Sequence, residues 1–284
     1  MSKRDAVDRE RTERQLAACR RMLDAVGAYG ADWRGRGGRP IADLTDVVLH
    51  TFLARSTRTF EAIVHLGSRG FGEQAAMLNR SLFEDMVDAH WVSLHRELAL
   101  QRVREHHRYS NQLKLDVAAR FPQFFGEELP ALDPPMTDEE RKALKRVFGT
   151  YGQKSWTGLD LHTRFTAIES CWTNEVSRRQ ARFFHLWVHR ENNETLHPTA
   201  YSLANLGSPE AVGEEELHFM TGSTEHLVGQ VLFCAFWTYA QTACLVLEGA
   251  GFNDLETLAR DVIEPGLAAI VMETKPEQRQ PGAA

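Results

Sequence analysis

The chain has 284 residues, 43% of them hydrophobic and 25% charged, with 33 Lys and Arg against 39 Asp and Glu and a formal net charge of −6. Such a chain can bury a substantial core, and its negative balance excludes a surface that coats phosphate backbones generally. The four cysteines, Cys19, Cys171, Cys234 and Cys244, show no Cys-x-x-Cys spacing and read as reduced thiols in a cytosolic protein.

The first residues, MSKRDAVDRERTER, are charged at once and lack the apolar run of a secretory signal. Helical periodicity then dominates. It predicts helices over 6–28, 41–67, 72–96, 98–121, 138–149, 159–174, 175–192, 223–249 and 253–273. The first carries Arg9, Arg11, Arg14, Arg20 and Arg21 among acids, which reads as a solvated face. RGRGGRP at 34–40 separates it from the second helix, and SRGFG at 68–72 is a tight turn into the third. After the Pro-rich stretch 121–135, Thr137 is placed to cap a helix whose first turn is acidic. The aromatic residues Phe183, Phe184 and Trp187 on the 175–192 helix read as core. Arg178, Arg179 and Arg182 on the same helix read as solvated.

Residues 210–222 are an acidic connector. The segment Leu227 to Leu247 that follows has no formal charge, yet it carries Gln230, Thr238, Gln241 and Thr242 and lacks flanking Lys or Arg. It is expected to be a central helix wrapped by others, with no membrane span. The fold class is therefore all-α, a single multi-helix bundle of eight or nine helices. The expected layout is an N-terminal helix and Gly/Arg-rich linker over 1–40, a helical bundle domain over 41–274, and a disordered tail over 275–284.

The unusual stretch runs from Gly70 to Trp91. Arg80, Glu84 and Asp88 stand four apart on one helix face, and Phe83, Val87 and Trp91 share it. Charges among apolar residues must be paired or used. With Gly70 as the centre of a helical hairpin, Glu61 matches Arg80 in level, Arg58 matches Glu84, and Arg55 matches Asp88. These six residues form either a ladder of interhelical ion pairs or a polar cleft that binds a ligand.

The pattern LARSTRTFEAIVHLGSRGFGEQAAMLNRSLFEDMVDAHW resembles the bacterial helical family called domain of unknown function 5677. The family shows an arginine-bearing helix, a GFG-type turn and an Arg-Ser-Leu-Phe-Glu segment, carried here by Arg80 to Glu84. A later helix that ends in histidine and small residues corresponds to His197-Pro198-Thr199, so the resemblance spans about residues 53–203. That layout is similar in turn to the HEPN class of helical proteins, many of them metal-independent ribonucleases. Their motif is an arginine followed after four to six residues by a histidine, and Arg190 and His197 fit it with six between. The same spacing recurs elsewhere, at Arg58–His65, Arg102–His107, Arg178–His185, Arg179–His185 and Arg182–His189, and Glu191 stands where such nucleases favour Asn, Asp or His.

The resemblance implies a cytosolic, HEPN-like protein that binds or cleaves RNA in a defence or toxin–antitoxin setting. Its catalytic candidates are His197 as acid and base, Arg190 as phosphate holder and Asn193 as orienting amide, with Arg80 and Glu84 in support. The alternative is a non-catalytic helical scaffold that binds a partner protein or a small ligand. A homodimer fits either. No cofactor and no metal are expected: His185 and His189 are one turn apart but lack a third zinc ligand, and no phosphate-binding glycine motif occurs.

Overall fold

The computed structural model describes residues 3–121, 123, 136–150, 155–196 and 227–270. They are all-α. The helices are α1 (Lys3–Ala31), α2 (Leu44–Ser68), α3 (Gly72–Leu94), α4 (Arg96–Arg120), α5 (Asp138–Phe148), α6 (Leu161–Ile168), α7 (Glu175–Leu196) and α8 (Val228–Gly249). A composite α9 follows, with helical pieces Leu255–Leu258 and Glu264–Ile270 joined by a π-helical stretch Ala259–Ile263. Every element follows the expected order, with ends displaced by a few residues. The Pro-rich stretch, the acidic connector and the tail lie outside the described residues.

The local signals act as their chemistry predicts. Gly70 adopts φ +78°, its N–H donates to Gly67 O, and the N–H of Phe71 donates to Leu66 O. That pair of bonds closes α2 with a left-handed residue that only glycine takes without cost. Gly251 ends α8 by the same device, with bonds from Gly251 to Glu248 and from Phe252 to Leu247. Thr137 and Glu140 form a reciprocal capping box at the start of α5.

Packing divides the chain into two compact units, Met1–Pro40 with Leu53–Phe83 and Phe184–Ala284, and Ile41–Phe52 with Glu84–Phe183. The first unit is organised by α8. Val231, Ala235, Phe236, Tyr239 and Ala243 are buried with Cys19, Met22 and Val26 of α1, Phe60 and Ile63 of α2, and Ala76 and Leu82 of α3. Burying a side chain such as Phe236 contributes about 2–3 kcal/mol, which is why an all-round apolar helix with no charge before Glu248 takes the centre. It is long and apolar enough to cross a membrane, and 72% of its most apolar window is buried inside the protein. Of its glutamines, Gln230 is exposed and Gln241 half-buried. The first helix, set apart by the sequence pattern, shares this core.

Directions within the first unit follow from contacts along α8. Gln15 meets Gly229 at the start of α8, and Tyr29 packs with Leu247 and Phe252 at its end, so α1 runs parallel to it. Gly67 meets Leu232 and Val228, whereas Thr57 and Phe60 meet Tyr239, so α2 runs antiparallel. Hence α1 and α2 are antiparallel to each other.

The second unit is held by an aromatic and ionic core. Trp91 packs edge-on to Trp156 at 5.8 Å, and Phe52 lies 6.2 Å from Trp156. Asp88 is bound by the Arg164 guanidinium and accepts from Trp156 Nε1 at 2.7 Å. His90 is buried against Trp172. Tyr109 stacks on Phe148 and donates to Gly149 O at 2.9 Å, which ties α4 to the end of α5.

Candidate functional site

A groove of 630 Å³ opens in the first unit between α1 and α2. On α1 its wall is Arg20, Leu23, Asp24, Gly27, Ala28 and Ala31; on α2 it is Thr57, Glu61, Val64, His65 and Ser68. Both sets recur at spacings of three, four and seven residues, so each is one stripe along one helix. Apart from Leu23 and Val64, which also pack on the core, the stripes are small, polar or charged, because the core is supplied by Cys19, Met22 and Val26 of α1 and Phe60 and Ile63 of α2. Beyond its own turn of helix, a Cβ added at Gly27 would meet nothing within 4 Å, so the floor there is open.

The charges of the groove are available. Among the described residues, Arg20, Asp24, Glu61 and His65 make no ion pair with one another. Arg20 and Asp24 are one turn apart, as are Glu61 and His65, but all four are exposed. An exposed pair contributes roughly 0.3–0.5 kcal/mol, so leaving it open costs little and a ligand displaces little. Thr57 is fixed at the base of the α2 wall: its hydroxyl donates to Leu53 O at 2.8 Å and lies 2.9 Å from the Tyr239 hydroxyl. Burial pushes the Tyr239 phenol up to about 12, with the hydrogen bond it shares with Thr57 acting in the opposite direction. The phenol is a neutral partner at any physiological pH.

The antiparallel course of α1 and α2 orders the charges. Tracing both helices against α8, Arg20 falls near the level of Val64 and His65, and Asp24 near that of Glu61 and Thr57. The groove therefore has a basic end, an acidic middle and a small-residue end at Gly27, Ala28 and Ala31.

Of the residues singled out by sequence, Glu61 lines this groove, facing α1 residues that the sequence pattern had read as a solvated face. Arg55 and Arg58 are exposed on α2, whereas Arg80 and Glu84 are half-buried on α3. Asp88 is buried, and its partners are Arg164 and Trp156, which the level-matching did not identify. Burial pulls the Arg164 guanidinium below its ordinary range, and the nearby Glu84 charge opposes that shift. These residues form a closed structural ion pair. The helix α7 carries Arg190 and Asn193 on a backbone that stays helical to Leu196; His197 lies outside the described residues. Phe184 is core, 4.7 Å from Trp237, and Trp187 packs against the core, but Phe183 is 55% exposed, contrary to the expectation for that stripe.

One further polar cluster was not read from the sequence. Asn79 is fully buried beside Cys234 and Thr238 of α8. Burial pushes the Cys234 thiol up to about 12, with Asn79 and Thr238 acting in the opposite direction. The thiol is protonated and unreactive, so this cluster is a packing feature. All four cysteines are free thiols.

No curated protein and no solved structure matches the chain. A family model, described as a Family of unknown function (DUF5677), matches residues 46–209. That span includes the hairpin of α2 and α3, the Asp88–Arg164 pair and the α2 wall of the groove, and it covers more than half of the sequence: the chain belongs to the DUF5677 family.

Proposed function

We propose that this protein is a non-catalytic helical binding protein whose ligand seat is the groove between α1 and α2. The observation that carries this reading is an open cavity of 630 Å³ with charges of both signs on its walls. That volume lies within the ~300–1,000 Å³ of typical ligand sites. The buried charge pair of Asp88 with Arg164 is closed by packing and serves the fold. A reduced, cytosolic setting is part of the proposal, and four unpaired thiols are consistent with it.

The test is a block of the groove. Gly27→Trp starts a bulky side chain at a point where an added Cβ meets nothing within 4 Å beyond its own turn of helix, on the floor of the groove. Amide spectra of wild type and variant are recorded with a mixed set of small amines, acids and amino acids. The expected result is saturable shifts at Gly27, Ala28, Ala31 and Val64 in the wild type that vanish in the variant. Shifts that survive the tryptophan overturn the assignment.

RNA binding or cleavage at Arg190, Asn193 and His197 is the second reading. It is supported by the helical course of α7 through Leu196, which sets Arg190 and Asn193 one turn apart just before His197. Purified wild type, Arg190→Ala and His197→Ala are compared for RNA binding and metal-free cleavage. Loss in both variants supports this reading, and equal behaviour of all three removes it.

A further inference from the structure

We infer that the α1–α2 groove selects a zwitterion: a small molecule with a primary ammonium and an acid group about one helical turn apart. The inference rests on the groove being a ligand site and goes on to name the chemistry of the ligand. Its first support is the order of charges along the cavity. By the levels traced against α8, Arg20 and His65 fall towards one end, and Asp24 and Glu61 fall at neighbouring levels in the middle. Arg20 and Asp24 are four residues apart, which is about 6 Å along the axis. An ammonium held between two carboxylates leaves its acid group within reach of the guanidinium.

The second support is that these charges are not engaged with each other among the described residues. A ligand of one charge satisfies one end of the groove and leaves the other as water left it. A zwitterion engages both ends and adds no net charge to the cavity. A charge-assisted hydrogen bond is about twice as strong as a neutral one, so the gain from the second end is read directly in affinity. The third support is the small-residue end. The open floor at Gly27, next to Ala28 and Ala31, leaves room for substituents beyond the ammonium. Recognition then depends on the paired charges and tolerates variation in the remainder of the molecule.

The acid group is a carboxylate or a phosphate, since a guanidinium accepts either with the same fork of donors. 4-Aminobutanoate and O-phosphoethanolamine are therefore titrated separately, with butylamine and butanoate as singly charged controls. The readout is the amide spectrum of the intact chain. The expected result is a saturable shift of groove amides by one of the two zwitterions, with each singly charged control binding at least about tenfold more weakly. Glu61→Gln and Arg20→Gln, both exposed substitutions, should each remove that preference while leaving the rest of the spectrum unchanged.

Controls that bind as tightly as the zwitterions, at the same amides, overturn the zwitterion and leave the groove as a site. Absence of groove shifts by both zwitterions overturns the proposal as well. The Gly27→Trp comparison with the wider set of molecules then decides separately whether the groove binds anything.

Discussion

Replacing Asp88 with alanine is expected to destabilise the second unit by about 3–5 kcal/mol, the typical cost of breaking a buried ion pair from one side. The side chains are 9% exposed for Asp88 and 4% for Arg164, so the guanidinium left behind cannot recover its hydration. Trp156 Nε1–H loses its acceptor in the same substitution, which adds an unsatisfied buried donor. Arg164→Ala should cost a comparable amount, because it strands the carboxylate. The double replacement Asp88→Leu with Arg164→Met should cost much less than the sum, since neither charge then remains buried. Urea unfolding followed by tryptophan fluorescence reports the transition through Trp91 and Trp156. A loss below about 1 kcal/mol in both single variants would place the pair with exposed salt bridges and refute this account.

Much of the fold was legible because helix ends carry their own chemistry. Gly70, Gly251 and the Thr137–Glu140 box fix where chains stop and start, independently of tertiary packing. The central position of α8 was legible for a different reason. A 22-residue helix without a charge before its last turn is stable in a soluble core only when other helices cover it. The partner of Asp88 was not legible. Counting from the Gly70 turn gives the height of a residue along a hairpin but not the rotation of its helix, and Arg164 stands 76 residues away on α6. The groove was half legible. Glu61 was singled out as the level match of Arg80 across the Gly70 turn, but its α1 neighbours Arg20 and Asp24 looked like any solvated charges. What distinguishes them is the open space above Gly27, and a sequence carries no direct sign of empty volume. Phe183 illustrates the reverse error. An aromatic on an amphipathic helix is normally core, yet Phe184 took that place and left its neighbour exposed.

The second unit should also be acid-labile, and His90 should be a main cause. Its ring is buried against Trp172, 5.4 Å between centroids, and Nε2 finds no hydrogen-bond partner among the described residues. Burial alone pushes its titration from 6.5 down to about 4. In the unfolded chain the imidazole takes its proton near pH 6.5, so between the two values the unfolded state binds more protons than the folded one. Stability therefore falls as the pH drops from about 6.5 to 4, and the shift corresponds to about 3 kcal/mol. Above pH 7 both states are neutral at this position and the effect is absent. His106 is depressed in the same direction by burial and by the neighbouring His107, so it adds to the slope in the wild type. His90→Phe separates the two. The substitution keeps an aromatic ring beside Trp172 and removes the titrating nitrogen. At pH 7 it should change stability by only about 1 kcal/mol, whichever way the ring repacks. Between pH 6.5 and 4 the stability difference between variant and wild type should swing in favour of the variant by about 3 kcal/mol. Denaturant midpoints measured across that range provide the test. Parallel pH profiles for the two proteins would mean that the buried imidazole already takes up its proton in the folded state, and that the ring is reached by water in a way its packing against Trp172 does not allow.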